Sequence, residues 1–288
     1  MGQAKHIKGI LLLIMTAVMW SLGGVFVKSI AINGMAIAGV RSLLAAAVLL
    51  IFCRRKCFTF SLTQIAGAFC YCGAVLFYVL ANKKTTAANT ILLQYTAPIY
   101  VAIFSRWFLG ERVSKLQYLT IFGAMCGIVL FFRDDLTFAN RLGNIFGIIT
   151  GLSFGLMILL MRKQKTDLAI GSIVLGNLIT ALIGVPFIFG SMPDTTGWIY
   201  LVLLGVVQLG IPYVLYAIAI SHVTAIEGVM ILTLEPILNP IWVLLVFDER
   251  PGKWALAGGL IVICSVIAST LISTYAKRSG SIPPPAHR

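Results

Sequence analysis

Long apolar runs separated by short polar stretches dominate this chain. A helix that crosses about 30 Å of hydrocarbon needs about 20 mostly apolar residues. Only helices fit these runs, because barrel strands would alternate apolar and polar residues. The pattern predicts ten membrane-spanning helices with short connecting loops, over Gly9–Val27, Ala36–Cys53, Leu62–Ala81, Ala87–Leu109, Leu116–Phe132, Leu142–Met161, Ala169–Gly190, Trp198–Ile220, Ala225–Phe247 and Trp254–Thr274.

Composition narrows the class of protein further. Apolar residues make up 59% of the chain and charged residues 11%, whereas soluble domains carry about 25% charged residues. So few charges cannot cover a soluble surface, which excludes a soluble enzyme, a secreted disulfide scaffold and a disordered chain. The net charge of +13 does not indicate a nucleic-acid partner, because the basic residues lie in short clusters between the apolar runs. The sequence predicts an all-α integral membrane protein whose main partner is the lipid bilayer.

The basic residues also predict an orientation. With ten helices both termini lie on one side, and the loops of that side carry twice the Lys and Arg residues of the other. The positive-inside rule therefore predicts both termini in the cytoplasm and places the protein in the cytoplasmic membrane. The first span follows Lys5 and Lys8, but it is too long for a signal peptide and lacks a cleavage site, so we expect it to be retained. We expect residues 279–288 to form a disordered tail.

The two halves of the chain repeat. Residues 78–130 align with residues 216–268 without a gap, at an offset of 138. Each repeat would hold five helices, an odd number, so the second repeat would be inverted relative to the first, as in many secondary transporters. We assign residues 1–137 to the first repeat and residues 138–278 to the second. The matching pairs that carry this inference are Tyr78 and Tyr216, Thr86 and Thr224, Pro98 and Pro236, Glu111 and Glu249, Arg112 and Arg250, and Lys115 and Lys253.

Two matching segments resemble a known family. They read ILLQYTAPIYVAIFSRWFLGER at 91–112 and VMILTLEPILNPIWVLLVFDER at 229–250, and they resemble the two cores of the drug/metabolite transporter superfamily, EamA-type branch. Trp20, Arg41 and the pair Glu235-Pro236 fit the same pattern. The resemblance implies a ten-helix, two-repeat carrier that moves small metabolites by alternating access. One departure is Asp248, at the position of Gly110 in the first repeat, which we expect to affect the turn rather than transport.

Two charged residues are expected inside the membrane, where charges are costly. Glu235 lies about 15 Å into its predicted helix, near the midplane, and its counterpart in the first repeat is Ala97. Arg41 lies about 8 Å from the outer face. One interpretation is that Glu235 binds a proton or a substrate amine and that Arg41 binds a carboxylate. The alternative is that the two form a structural ion pair with each other.

Further candidates lie toward the middle of predicted helices. Pro98 and Pro236 are hinge candidates because a proline frees a backbone carbonyl, although simple packing explains them equally well. A second group would stack on or hydrogen-bond a substrate if it borders a cavity, and would otherwise be ordinary core. This group is Trp20, Gln94, Tyr95, Gln208 and Asn239.

Two further acids are expected near the membrane surface. Glu227, whose counterpart is Asn89, should be a water-exposed charge at the cytoplasmic entrance. Glu111 and its repeat counterpart Glu249 are expected to cap helices and to pair locally with Arg112, Lys115, Arg250 and Lys253.

No cofactor is expected, because the three His residues are not beside a Cys pair and no phosphate-binding loop is present. A membrane-embedded enzyme would need a catalytic set at depth, and we expect neither a buried His nor paired intramembrane Asp residues. The hypothesis is a secondary carrier of small organic solutes, as a monomer or homodimer. One acid and one base favour a zwitterion such as an amino acid, and a lone Glu favours proton over sodium coupling. Lipophilic amines or drugs are the alternative substrates, and a transport-inactive partner subunit is a third interpretation.

Overall fold

The computed structural model describes residues 2–22, 26, 30, 32–53, 57–85, 87–111, 113–133, 140–164, 166–190, 192–238 and 253–278. All regular secondary structure in these ranges is helical. The α-helices are α1 (Gly2–Ser21), α2 (Gly34–Phe52), α3 (Leu62–Lys84), α4 (Ala87–Gln94), α5 (Ala97–Leu109), α6 (Lys115–Phe131), α7 (Arg141–Lys163), α8 (Thr166–Gly184), α9 (Thr195–Val202), α10 (Ile211–Ile220), α11 (Ala225–Leu232) and α12 (Lys253–Arg278). A 3₁₀ segment, Val185–Gly190, continues α8, and a π-helical segment, Leu203–Gly210, joins α9 to α10.

Polar side chains define where many helices begin. An N-cap side chain accepts a hydrogen bond from a backbone N–H of the first turn, which would otherwise lack a partner. At Ser114 and Thr224 the cap is reciprocal, because Gln117 and Glu227 each bond back to the backbone N–H of the cap residue. The N-cap residues of this kind are Asn33, Ser61, Ser114, Asn140, Asp194 and Thr224.

The helices pack as a bundle in which elements distant in sequence are neighbours. Helix α3 packs along α7 and α8, α6 packs along α12, and α1 packs along α10 and α11. Small residues permit the closest approaches, as expected within a membrane. A Cβ atom added to Gly39 of α2 would collide with the backbone at Gly184 and Val185, so only glycine fits at this crossing.

Seven helical stretches in the described residues are long and apolar enough to cross a membrane. The prediction of an all-helical membrane protein is therefore confirmed, while the count of ten spans stays a prediction. Helix α6 is apolar but shorter, and two predicted spans are interrupted. The span Ala87–Leu109 contains a turn at residues 95–96, between α4 and α5, and the span Ala225–Phe247 contains a turn at residues 233–234, before a helical turn at 235–238.

Some predictions fall on residues that the structure does not describe. These are Asn239, Arg112 next to Glu111, the Glu249-Arg250 turn with Asp248, and residues 279–288.

Candidate functional site

Proline explains why two apolar helices are interrupted. Pro98 lies in the first turn of α5, where a missing N–H is tolerated. A proline at position i cannot donate to the carbonyl at i−4, so Pro98 leaves the carbonyl of Gln94 free and Pro236 leaves the carbonyl of Leu232 free. Within a membrane such carbonyls are tolerated only where protein groups or cavity water satisfy them.

The two interruptions meet at Tyr95. Its hydroxyl oxygen lies 2.6 Å from Oε2 of Glu235 and 3.2 Å from the carbonyl oxygen of Leu232. The short distance to Glu235 is that of a hydrogen bond donated to a carboxylate. The Tyr95 side chain is buried. One tyrosine from the first interruption therefore contacts both the freed carbonyl and the acidic side chain of the second.

Five aromatic side chains pack together, and one of them, Tyr213, is within electrostatic range of Tyr95 and Glu235. The ring of Trp20 is 4.9 Å from that of Tyr213 and 6.0 Å from that of Tyr216. We call these residues the aromatic cluster; they come from α1, α3, α7 and α10 and are Trp20, Tyr71, Phe154, Tyr213 and Tyr216. Glu235 is within electrostatic range of Tyr213, so the cluster and the carboxylate border one region.

Several buried polar atoms around the cluster have no hydrogen-bond partner in the described residues. An unpaired buried polar atom costs about 1–3 kcal/mol, so such atoms mark places where water or a ligand is needed. Gln208 donates from Nε2 to the carbonyl oxygen of Trp20 at 3.4 Å, and it lies in the π-helical segment, a geometry frequent at functional sites. The unpaired atoms are Trp20 Nε1, Arg41 Nε, Gln208 Oε1 and Tyr216 Oη.

Arg41 brings a positive charge to the same region. It lies on α2, is 9% exposed, and is within electrostatic range of Glu235, Tyr71 and Tyr213. Although both residues are described, no ion pair within 4 Å joins Arg41 to Glu235. In this conformation, therefore, the acid and the base are near one another without neutralising each other directly.

The structure brings most of the predicted site residues together. Five of them lie around the Tyr95–Glu235 contact and the aromatic cluster: Trp20, Arg41, Tyr95, Gln208 and Glu235. Gln94 is the last residue of α4, where it is half-buried beside the first interruption. Sequence reasoning missed Tyr71, Phe154 and Tyr213, and it used Tyr216 only as a repeat marker. Their position in the middle of predicted spans was the available signal, but it does not show which helix faces meet.

Two expectations about polar groups were wrong. Glu227 is fully buried rather than water-exposed, because the buried His6 of α1 lies against it, with Nε2 2.8 Å from each carboxylate oxygen. His6 also contradicts the expectation that no His is buried. Glu111 accepts a hydrogen bond from the backbone N–H of Ala225, the first residue of α11, at 3.0 Å, which fits the expected helix cap, and it also pairs with Arg162 at 3.2 Å. All these partners are distant in sequence, so local spacing does not reveal them.

A bundle of apolar helices with an acid at an interrupted helix, a base nearby and unpaired buried polar atoms is typical of a membrane transporter. The model of the EamA-like transporter family matches residues 7–133 and 141–271. The chain belongs to the EamA-like transporter family.

Known proteins support this membership. The chain is 27% identical to an "uncharacterized transporter" of Archaeoglobus fulgidus over 88% of this chain and 93% of that protein. It is 24% identical to the pseudopaline exporter CntI of Pseudomonas aeruginosa over 67% of this chain and 68% of that protein. A solved crystal structure shares the fold with a TM-score of 0.82 and 16% identity, over 93% of this chain and 99% of that chain. The family and the relatives indicate a membrane transporter rather than an enzyme.

Proposed function

We propose that the protein is a secondary active transporter that moves small organic metabolites across the cytoplasmic membrane by alternating access, coupled to protons. The contact between Tyr95 and Glu235 carries this proposal. It joins two interrupted helices at a site bordered by Arg41 and by unpaired polar atoms. Transporters commonly place the substrate and coupling-ion site at discontinuous helices near the membrane midplane.

The positions of the two interruptions support the inverted repeat. The turn at residues 95–96 and the turn at residues 233–234 are separated by the same offset of 138 that aligns the two halves of the sequence. We propose that the two repeats form ten spans and that Pro98 and Pro236 are the hinges at which these helices bend. Both termini are then cytoplasmic.

An amino acid is the substrate class that fits the site best. Glu235 would bind a proton or the ammonium group and Arg41 the carboxylate, while the aromatic cluster surrounds the rest of the molecule. Trp20, Gln94, Gln208 and Asn239 would supply the remaining hydrogen bonds or stacking contacts. Proton coupling follows from the same acid, because one carboxylate suffices to carry a proton, whereas a sodium ion needs several oxygen ligands.

A lipophilic amine or drug is the second candidate substrate, and the aromatic cluster favours it. Aromatic ring faces attract organic cations, most strongly where water is excluded, and here they lie near a carboxylate. The relative named as an exporter makes export the direction to test first.

A ligand screen followed by flux measurement tests the proposal. Purified protein is heated with amino acids and with amines that lack a carboxylate, and the solutes that raise Tm are taken into liposomes. We expect an imposed proton gradient to drive their flux without ATP. Strict dependence on ATP, or flux indifferent to the gradient, would contradict the coupling. Arg41→Gln separates the substrate classes, since it should abolish Tm shifts by amino acids and leave those by amines.

Reporter fusions test the predicted orientation. A fusion after residues 54–56 should report cytoplasmic activity, and a fusion near Asp134 should report the external side. The opposite result at either position would refute the predicted topology while leaving the site itself untouched.

A further inference from the structure

Two polar contacts, one buried and one partly buried, occupy equivalent positions in the proposed repeats. His6 of α1 contacts Glu227 of α11, and Asn144 of α7 contacts Asn89 of α4, with Nδ2 of Asn89 3.2 Å from Oδ1 of Asn144. At the offset of 138 between the two halves of the sequence, His6 is equivalent to Asn144 and Asn89 is equivalent to Glu227. The surrounding sequence agrees, because HIKGI at 6–10 and NIFGI at 144–148 share three of five residues.

The two contacts lie at opposite ends of the bundle. Helix α7 carries Asn144 near its start and Arg162 near its end, about 27 Å apart at about 1.5 Å per residue. Arg162 is at the end that holds the His6–Glu227 contact, because it pairs with Glu111, which accepts a hydrogen bond from the first residue of α11. The separation is close to the thickness of the hydrocarbon core.

The two ends differ in charge. The first end holds two acids, Glu227 of α11 and Glu111, which contacts the first residue of α11. His6 lies against Glu227 and Arg162 against Glu111. An ionised carboxylate only accepts hydrogen bonds, so its contact with His6 needs the hydrogen atom on Nε2 of the imidazole. At the second end the hydrogen bonds to Oδ1 of Asn144 come from neutral side chains of the described residues, Thr85 and Asn89, both at 3.2 Å. Hydrogen bonds to charged groups are about twice as strong as neutral ones.

Helix α11 connects the charged end to the candidate site. It spans Ala225 to Leu232, which is about 12 Å. Its first residues are held by Glu111 and His6, and the carbonyl oxygen of its last residue lies 3.2 Å from the hydroxyl of Tyr95. Releasing the first turn of α11 would therefore alter the contact of Tyr95 with Leu232 and Glu235.

We propose that the His6–Glu227 and Asn89–Asn144 contacts are the two gates of alternating access, one at each end, and that the charged gate is the harder to open. This inference rests on the proposed transport function. In this conformation both contacts are formed, so both ends are closed at these positions. The charge difference then makes the end with Asn89 and Asn144 open first.

Exchanging residues between the two gates tests the proposal. The double variant His6→Asn/Glu227→Asn gives the charged gate the residues of the neutral one, and Asn144→His/Asn89→Glu is the reciprocal variant. Hydrogen–deuterium exchange in lipid nanodiscs is followed for residues 4–12 and 221–230 at one end and 85–92 and 141–150 at the other. Ser172→Ala is the matched control, because Ser172 bonds to Gln164 at the charged end without joining the two halves of the chain.

We expect exchange in His6→Asn/Glu227→Asn to become about tenfold faster or more at residues 4–12 and 221–230, with no acceleration at the other end. Glu227→Gln alone should act in the same direction, and Ser172→Ala should change neither end. Unchanged exchange at the charged end would overturn the proposal, and so would equal acceleration at both ends, which indicates general destabilisation. The measurement needs no substrate, so a failure to find any transported solute would refute the proposed function without altering this result.

Discussion

The two interrupted helices share a backbone design but differ in chemistry. Both turn two residues before a buried proline, at residues 95–96 before Pro98 and at residues 233–234 before Pro236. The residue before the proline is Ala97 in one and Glu235 in the other. The proline explains the shape that the two share, whereas the acid is present only once. The difference indicates that the prolines account for the shape of the two interruptions, whereas the candidate site depends on an acid that stands at only one of them.

The two interruptions are also complementary. The first supplies a donor, the hydroxyl of Tyr95, and the second supplies two acceptors, the carboxylate of Glu235 and the carbonyl of Leu232. Thr233 stands at the position equivalent to Tyr95 and its hydroxyl instead donates to the carbonyl of Met230 at 2.6 Å. Equivalent positions have therefore taken different roles, one bridging the two helices and the other closing its own turn.

The largest effect is expected from filling the space beside the first interruption. Gly151 of α7 lies against the carbonyl oxygen of Leu93 and the hydroxyl of Thr96, and the equivalent residue in the first repeat is the buried Leu13. Gly151→Leu therefore makes the two positions alike but overpacks the turn, which should destabilise the protein by about 3 kcal/mol. Melting temperature and expression measure this effect. Gly190→Leu is the control, because an added Cβ at Gly190 meets no atom of the described residues within 4 Å. Equal Tm losses in both variants would contradict the packing argument.

An intermediate effect is expected from removing the bridge between the interruptions. Tyr95→Phe keeps the ring and deletes the hydrogen bond to Glu235, a bond to a charged group worth about 1.5–3 kcal/mol. Thermal unfolding should show the loss, and substrate binding should weaken by roughly tenfold or more. Tyr118→Phe, at a half-exposed position, should change neither quantity. Wild-type stability and binding in Tyr95→Phe would show that the contact has no role.

The sequence predicted the fold class well because its signals are local. Apolar length identifies the helices, and two proline positions mark where helices are interrupted. Polar or aromatic side chains stand out in apolar helices, which made five residues candidates whose role stays a prediction: Trp20, Arg41, Tyr95, Gln208 and Glu235. The partners were not predictable. The His6–Glu227 and Glu111–Arg162 pairs, and the aromatic cluster, depend on which helix faces meet, and the periodicity of almost uniformly apolar helices does not define a face.

The smallest effect on stability is expected at the prolines themselves. Pro98→Ala and Pro236→Ala restore one backbone N–H each and should change the free energy of unfolding by less than about 1 kcal/mol, since a proline in a first helical turn is well tolerated. Their effects on flux should differ. In Pro236→Ala the new N–H competes with Tyr95 for the carbonyl of Leu232, so transport should slow more than in Pro98→Ala. Solute flux is measured for both variants in liposomes that contain equal amounts of protein. Equal rates in Pro236→Ala and Pro98→Ala would contradict the expectation that the two prolines differ in their effect on transport.

The central claim is that Glu235 couples transport to protons, and Glu235→Gln tests it most directly. The substitution keeps the shape of the side chain and removes its charge. In liposomes loaded with a transported solute, we predict that the variant inserts and exchanges solute across the membrane but shows no flux driven by a proton gradient. If the residue were only a structural partner of Arg41, Glu235→Gln would lose stability, and Glu235→Gln/Arg41→Gln would recover both stability and transport. Gradient-driven flux at the wild-type rate in Glu235→Gln would contradict the account.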